Sequence, residues 1–163
     1  MAFVPIEGVE ETDEEGKSRS NRDEAAKVLN VVNDLLAMGD LQPEDIGVIS
    51  PYNGQVRELI RLFEAAGGRE AGQPYHGLEI KSVDGYQGRE KEVIVFSTVR
   101  ANERGEVGFL SDYRRLNVAI TRAKRGLILL GHPTTLRHDG TWKSYLDWID
   151  EHQLFAWHVT HSS

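Results

Sequence analysis

Ile46-Gly47-Val48-Ile49-Ser50-Pro51-Tyr52-Asn53-Gly54-Gln55-Val56-Arg57-Glu58-Leu59-Ile60-Arg61-Leu62-Phe63 changes its hydrophobic period midway. Ile46 to Ile49 is a short apolar run suited to a strand buried on both faces. From Gln55 to Ala66 the apolar residues Val56, Leu59, Ile60 and Phe63 recur at three and four, the mark of one helical face, and Gly67-Gly68 ends it. A buried strand, a polar turn and an amphipathic helix form the repeating unit of a parallel α/β sheet.

The same alternation extends in both directions. Phe3 to Ile6 reads as a strand, followed by an acidic loop over about residues 7–19 that is expected to be mobile. Asn21 to Met38 reads as a helix with its stripe at Ala25, Val28, Leu29, Val32, Leu35 and Leu36, started by Asn21 with Glu24 three residues on and stopped by Gly39. Leu78 to Ser82, Val93 to Val99 and Leu127 to Leu130 read as further strands. Helices are expected from Ser111 or Asp112 through Ala123, and from about Thr141 to Glu151 with Trp142, Tyr145, Leu146 and Ile149 buried. The expected fold class is therefore α/β, a mostly parallel sheet with helices on both faces. Its 163 residues suit one domain.

Composition excludes several chemistries. With no cysteine there is neither a disulfide framework nor a thiolate metal site, and an intracellular chain, cytoplasmic or nuclear, is expected. No apolar run approaches the roughly 20 residues of a membrane span. The six histidines show no metal-ligand spacing and read as surface or loop residues, and the three tryptophans read as core. Net charge is −7, but residues 1–50 hold 12 acids against 4 bases, while Lys81 to Arg125 holds 10 bases against 6 acids. Only the second region favours phosphate.

Ligands of parallel sheets gather at the carboxyl ends of strands. Ser50-Pro51-Tyr52-Asn53, Ser82 to Glu90 and Arg100-Ala101-Asn102 each follow a strand, so all three are expected to crowd one edge. Ser50, Tyr52, Asn53, Ser82 and Asp84 offer hydroxyl, amide and aromatic groups able to hold a sugar-phosphate backbone without reading bases, although the same residue types form turns by themselves. Gly88 permits close backbone approach and Glu90 can accept from a ribose hydroxyl, or the pair is a plain surface turn. Arg122, placed late in the basic helix Arg114 to Lys124, projects from the edge or forms a structural ion pair. Gly16-Lys17-Ser18 lacks the earlier glycine of a phosphate loop, which would fall at Glu11.

Taken together, Ile49-Ser50-Pro51-Tyr52-Asn53-Gly54-Gln55, Ser82-Val83-Asp84-Gly85-Tyr86-Gln87-Gly88-Arg89-Glu90-Lys91-Glu92 and Arg115-Leu116-Asn117-Val118-Ala119-Ile120-Thr121-Arg122-Ala123-Lys124 resemble the second RecA-like domain of superfamily 1B helicases, in the subgroup of the nonsense-mediated-decay helicase, senataxin and immunoglobulin-mu-binding helicase. The resemblance spans nearly the whole chain. It implies a RecA-like three-layer sandwich in which Arg122 is the motif VI arginine finger toward the γ-phosphate of ATP. It places Gly88 and Glu90 near the nucleotide, makes Gln87 and Arg115 coupling residues, and sets Ser50, Pro51, Tyr52, Asn53, Ser82 and Asp84 against the nucleic-acid backbone. ATP and Mg2+ would be held mainly by a first RecA-like domain carrying the phosphate loop and acid motif, which with the family's Gln-Tyr-Arg segment lies outside these residues. The implied partners are that domain and single-stranded RNA or DNA, with 5′ to 3′ movement. Alone, the chain is expected to be monomeric, to bind no cofactor tightly and to lack ATPase activity. A catalytically inert RecA-like interaction scaffold is the competing expectation, since fold alone permits it.

Overall fold

The computed structural model describes residues 1–13, 16, 18–86 and 90–152, with the backbone alone at 118–120. Five parallel strands form one sheet: β1 (Ala2–Pro5), β4 (Ile46–Ser50), β5 (Glu79–Ser82), β6 (Lys91–Ser97) and β7 (Ala123–Gly131), in spatial order β1-β7-β6-β4-β5. Two residues each of β2 (Glu11–Thr12) and β3 (Arg19–Ser20) pair antiparallel, so the stretch read as an acidic loop contains a small hairpin.

Each strand sends alternate side chains to opposite faces, and the two faces carry different helices. Val4, Val48, Val93, Val95 and Leu130 pack beneath α1 (Arg22–Ala37) and α2 (Asn53–Ala65) through Val28, Val32, Leu59 and Phe63. Phe3, Ile94, Phe96, Leu127 and Leu129 pack on the other face against α3 (Tyr113–Ile120), α4 (Pro133–Leu136) and α5 (Gly140–Glu151) through Leu116, Leu136, Leu146 and Ile149. The result is the three-layer α/β sandwich of a RecA-like domain.

Local signals act where they were expected. The Asn21 side chain accepts from the Glu24 amide at 3.0 Å and caps α1, and Gly39 adopts φ +86° just after the helix. Glu24 does not close the box by returning to Asn21; its carboxylate bonds β6 instead.

Two expectations are corrected. The helix from Asp112 does not run to Ala123: α3 stops at Ile120, where Thr121 donates both its amide (3.0 Å) and its hydroxyl (2.8 Å) to the Asn117 carbonyl. Ala123 then enters the ladder beside Lys91, whose amide donates to the Arg122 carbonyl at 3.0 Å. Sheet pairing outweighs helix propensity there, and Arg122 sits in a turn. Trp148 is 44 % exposed, stacked on His152 at 4.3 Å, because Leu146 and Ile149 already fill the core-facing side of α5. Trp142 is buried and donates its indole N–H to the Leu110 carbonyl at 2.9 Å, while Trp157 lies outside the described residues. His132, in the loop before α4 as expected, also caps that helix, since its Nδ1 accepts from the Thr135 amide at 3.2 Å.

Candidate nucleotide and nucleic-acid sites

Because β5 and β6 are both parallel to β4, the chain leaves β5 at the carboxyl end of the sheet and enters β6 at the amino end. The three polar clusters therefore meet at one edge, as expected, but the second does not stay there. Ser50 to Asn53, Ser82 to Asp84 and Arg100 to Asn102 lie at the carboxyl end, whereas Glu90 lies at the amino end, directly before β6. Arg122, directly before β7, is at that amino end too, and Lys91 pairs with Ala123 in register. Gln87 and Gly88 lie outside the described residues.

Arg122 and Glu90 are thus brought together by strand pairing. The Glu90 carboxylate stands 3.9 Å from the Lys124 ammonium, an exposed pair of small energetic weight. The Arg122 Nε is buried and has no hydrogen-bond acceptor among the described residues. An ionised guanidinium with an unmet donor is poised for an anion, because a buried donor left unbonded carries a desolvation penalty.

At the carboxyl end the predicted residues divide by exposure. Ser50 and Tyr52 are buried, Pro51 and Ser82 half-buried, and Asn53 and Asp84 exposed. Ser50 Oγ accepts from the Tyr52 amide at 3.4 Å, and Ser82 Oγ accepts from the Gly85 amide at 3.0 Å, so both hydroxyls shape their own turns. Asp84 accepts from Arg115 Nη2 at 3.2 Å, joining the β5 turn to the first turn of α3.

The organising group of this end is one that sequence reasoning missed. Glu10 Oε1 accepts from Arg100 Nε (3.0 Å), the Ala101 amide (3.0 Å) and Asn102 Nδ2 (2.6 Å), while Oε2 accepts from Arg19 Nε at 2.9 Å. Arg100 Nη1 then donates to the Tyr52 hydroxyl at 3.1 Å. Burial alone would raise the Glu10 carboxyl; the bonds from Asn102, Arg100 and the Ala101 amide, with the Arg100 charge, outweigh it and hold the group below the usual carboxylate range. In sequence Glu10 is one acid in an acidic stretch and its partner lies 90 positions away. The available signal was Arg100 itself, an arginine set directly behind a buried strand that must find a partner.

Behind this clamp lies a wholly buried polar tract. Gln55 accepts from the Asn21 amide (2.9 Å) and donates to the Asn21 carbonyl (3.1 Å) and Ser97 Oγ (3.1 Å), and Ser97 donates to Glu24 Oε1 at 2.5 Å. Val99 adopts φ +73°, an unfavourable conformation for a β-branched residue. Its amide donates to Glu24 Oε1 (2.8 Å) and its carbonyl accepts from Asn21 Nδ2 (3.0 Å), so α1 imposes the turn that presents Arg100. Burial raises the Glu24 carboxyl to about 7 despite the bonds from Ser97, Val99 and Thr98.

No helix among the described residues is long and apolar enough to cross a membrane. A family model described as an AAA domain matches residues 1–134. The chain is similar to the regulator of nonsense transcripts 1 homolog of Drosophila melanogaster, 42 % identical over 156 residues that cover 96 % of this chain and 13 % of that protein. It is similar also to the ATP-dependent helicase NAM7 of Saccharomyces cerevisiae, 42 % identical over 90 % of this chain and 15 % of that protein. An uncharacterized ATP-dependent helicase of Methanocaldococcus jannaschii is 44 % identical over 91 % of this chain and 20 % of that protein. The chain therefore spans a fifth or less of each of these relatives. Among solved structures, the C-terminal domain of a possible DNA helicase from Lactobacillus plantarum WCFS1 shares the fold, with a TM-score of 0.50 at 15 % identity over 86 % of this chain and 80 % of that one. With the fold, the paired ends of β6 and β7 and these matches in agreement, the chain belongs to the AAA-domain family, as a C-terminal RecA-like domain of the superfamily 1 helicases.

Proposed function

We propose that this domain is the second motor domain of an ATP-dependent helicase and serves one nucleotide cleft and one single-stranded RNA or DNA track. The observation that carries the reading is Arg122, whose buried Nε–H has no acceptor among the described residues, beside Glu90 at the end of the sheet away from the Ser50 and Ser82 turns. Such a donor fits the γ-phosphate of ATP held by a first RecA-like domain that also supplies the Mg2+ ligands. ATP supplies the phosphoanhydride to be cleaved. Arg122 stabilises negative charge there without moving a proton, because a guanidinium stays protonated. Glu90 accepts from a ribose hydroxyl and Gly88 lets the backbone approach the phosphates, while Gln87 joins this side to the track.

The carboxyl-end turns hold the track. Asn53, Pro51, Ser82 and Asp84 present their edges to a sugar-phosphate backbone, and Ser50 and Tyr52, being buried, set the shape of that grip. Arg115 keeps Asp84 in place. Closure of the cleft then shifts these turns relative to those of the first domain, once per ATP. In this reading the domain alone hydrolyses no ATP and binds nucleic acid weakly with a shallow salt dependence, since few cations face the track. The test is Arg122→Ala in the full-length protein, with a fall in ATP hydrolysis on the order of 10³ expected from the loss of an arginine finger. Hydrolysis within about threefold of the unsubstituted protein refutes the assignment.

A further inference from the structure

Phe109 belongs to none of the groups assigned above, yet it lies between two of them. Its ring meets Tyr52 edge-on, with centroids 6.3 Å apart and planes at 64°, and the Arg115 guanidinium lies over the same ring, 4.5 Å from its centroid. Tyr52 is tied through Arg100 to Glu10, and Arg115 is tied to Asp84. Gly108 fixes the placement: at φ +51°, a Cβ there would stand 2.3 Å from Arg100 Nη1 and 3.2 Å from the Tyr52 hydroxyl, so the backbone rests directly on that pair.

We propose that Phe109 is a positioning residue that couples the Ser50–Asn53 turn to α3 and so to Arg122. Arg115 is in the first turn of α3, and Arg122 lies two residues beyond its end. A helix of this length moves as a rod of roughly 12 Å. Contact of a nucleic-acid backbone with the Ser50–Asn53 turn bears on Tyr52, whose ring presses on Phe109. Phe109 in turn is the platform for the Arg115 guanidinium. Displacement of that platform tilts α3 and shifts Arg122 at the far end of the sheet. The ring is only half-buried, so it does little for the core that a leucine would not do.

The inference rests on the proposed function, and the experiment separates the two. Full-length protein is assayed for ATP hydrolysis without and with saturating single-stranded oligonucleotide, as the unsubstituted chain, Phe109→Leu and Phe109→Tyr, with melting temperatures alongside. Phe109→Leu is expected to keep its basal rate within about twofold and its melting temperature within a few degrees, while stimulation by oligonucleotide falls about fivefold or more, the lower end of ordinary coupling between sites. Phe109→Tyr, which keeps the ring, retains stimulation. Stimulation of Phe109→Leu within about twofold of the unsubstituted protein overturns the coupling role and leaves the helicase reading standing. Loss of basal rate or of folding in Phe109→Leu makes the ring merely structural and also overturns it. An unsubstituted protein without any stimulation removes both readings.

Discussion

Glu24→Gln isolates a fully buried carboxyl whose ionisation is displaced far from its ordinary range. Glu24 is fully buried at the start of α1, and its carboxyl is raised from an ordinary 4.5 to about 7 because burial disfavours the charged form more than Ser97, Val99 and Thr98 favour it. In the unfolded chain the group ionises near 4.5; in the folded one it keeps its proton to about 7. Below 4.5 both states are protonated and Glu24 carries no electrostatic penalty. As pH rises from about 4.5 to about 7 the unfolded chain sheds a proton that the folded one retains, and stability falls. At about 1.4 kcal/mol per pH unit the loss is about 3 kcal/mol, complete above pH 7 and constant beyond. Glutamine has no such titration. Its carbonyl can still accept from Ser97 and Val99, while its NH2 takes the place of Oε2, which has no hydrogen-bond partner among the described residues, an offset of roughly 1–3 kcal/mol independent of pH. Urea unfolding of both proteins across this window gives the stability difference directly, with every other titrating group cancelling. The difference is expected to move by about 3 kcal/mol in favour of Glu24→Gln between pH 4.5 and 7.5. A difference constant within about 0.5 kcal/mol would mean that Glu24 titrates normally and that its burial is not felt electrostatically.

Gly108→Ala adds a Cβ 2.3 Å from Arg100 Nη1 at a positive φ, so the guanidinium must leave the Tyr52 hydroxyl. The backbone penalty and the lost bond together are expected to cost about 2–4 kcal/mol in thermal unfolding, and a change below about 1 kcal/mol would show that Arg100 yields freely. On α5, Leu146→Ala should cost about 2–5 kcal/mol, as a cavity in the layer beneath β7, whereas Trp148→Ser two residues on should stay within about 1 kcal/mol. Equal effects at the two positions, measured by chemical denaturation, would contradict the orientation of the helix.

Periodicity was enough to read the five strands of the main sheet and most of the helices, because β4 and most of β6 are buried on both faces and each long helix shows one apolar stripe, signals that act within a few residues of their source. The capping role of Asn21 was legible for the same reason, being a bond to an amide three residues away. The end of α3 was not, since Arg122 and Ala123 follow a sequence that would continue a helix and are taken into the sheet only by pairing with Lys91. The partner lies some thirty positions upstream, beyond the reach of local propensity.

The candidate site shows the same division. The residue types suited to phosphate and to a sugar-phosphate backbone, and their order along the chain, were set by the sequence, as was their likeness to helicase motifs. Which of them stand together was decided by strand order alone: parallel pairing of β4 with both β5 and β6 sends Glu90 to the end opposite Ser82, and pairing of β6 with β7 brings Arg122 to meet it. The acid that organises the carboxyl end was invisible for a related reason. Charge in a sequence is only a composition; a carboxylate becomes an anchor when folding removes it from water beside Arg100, Asn102 and Arg19, and that enclosure exists only in three dimensions.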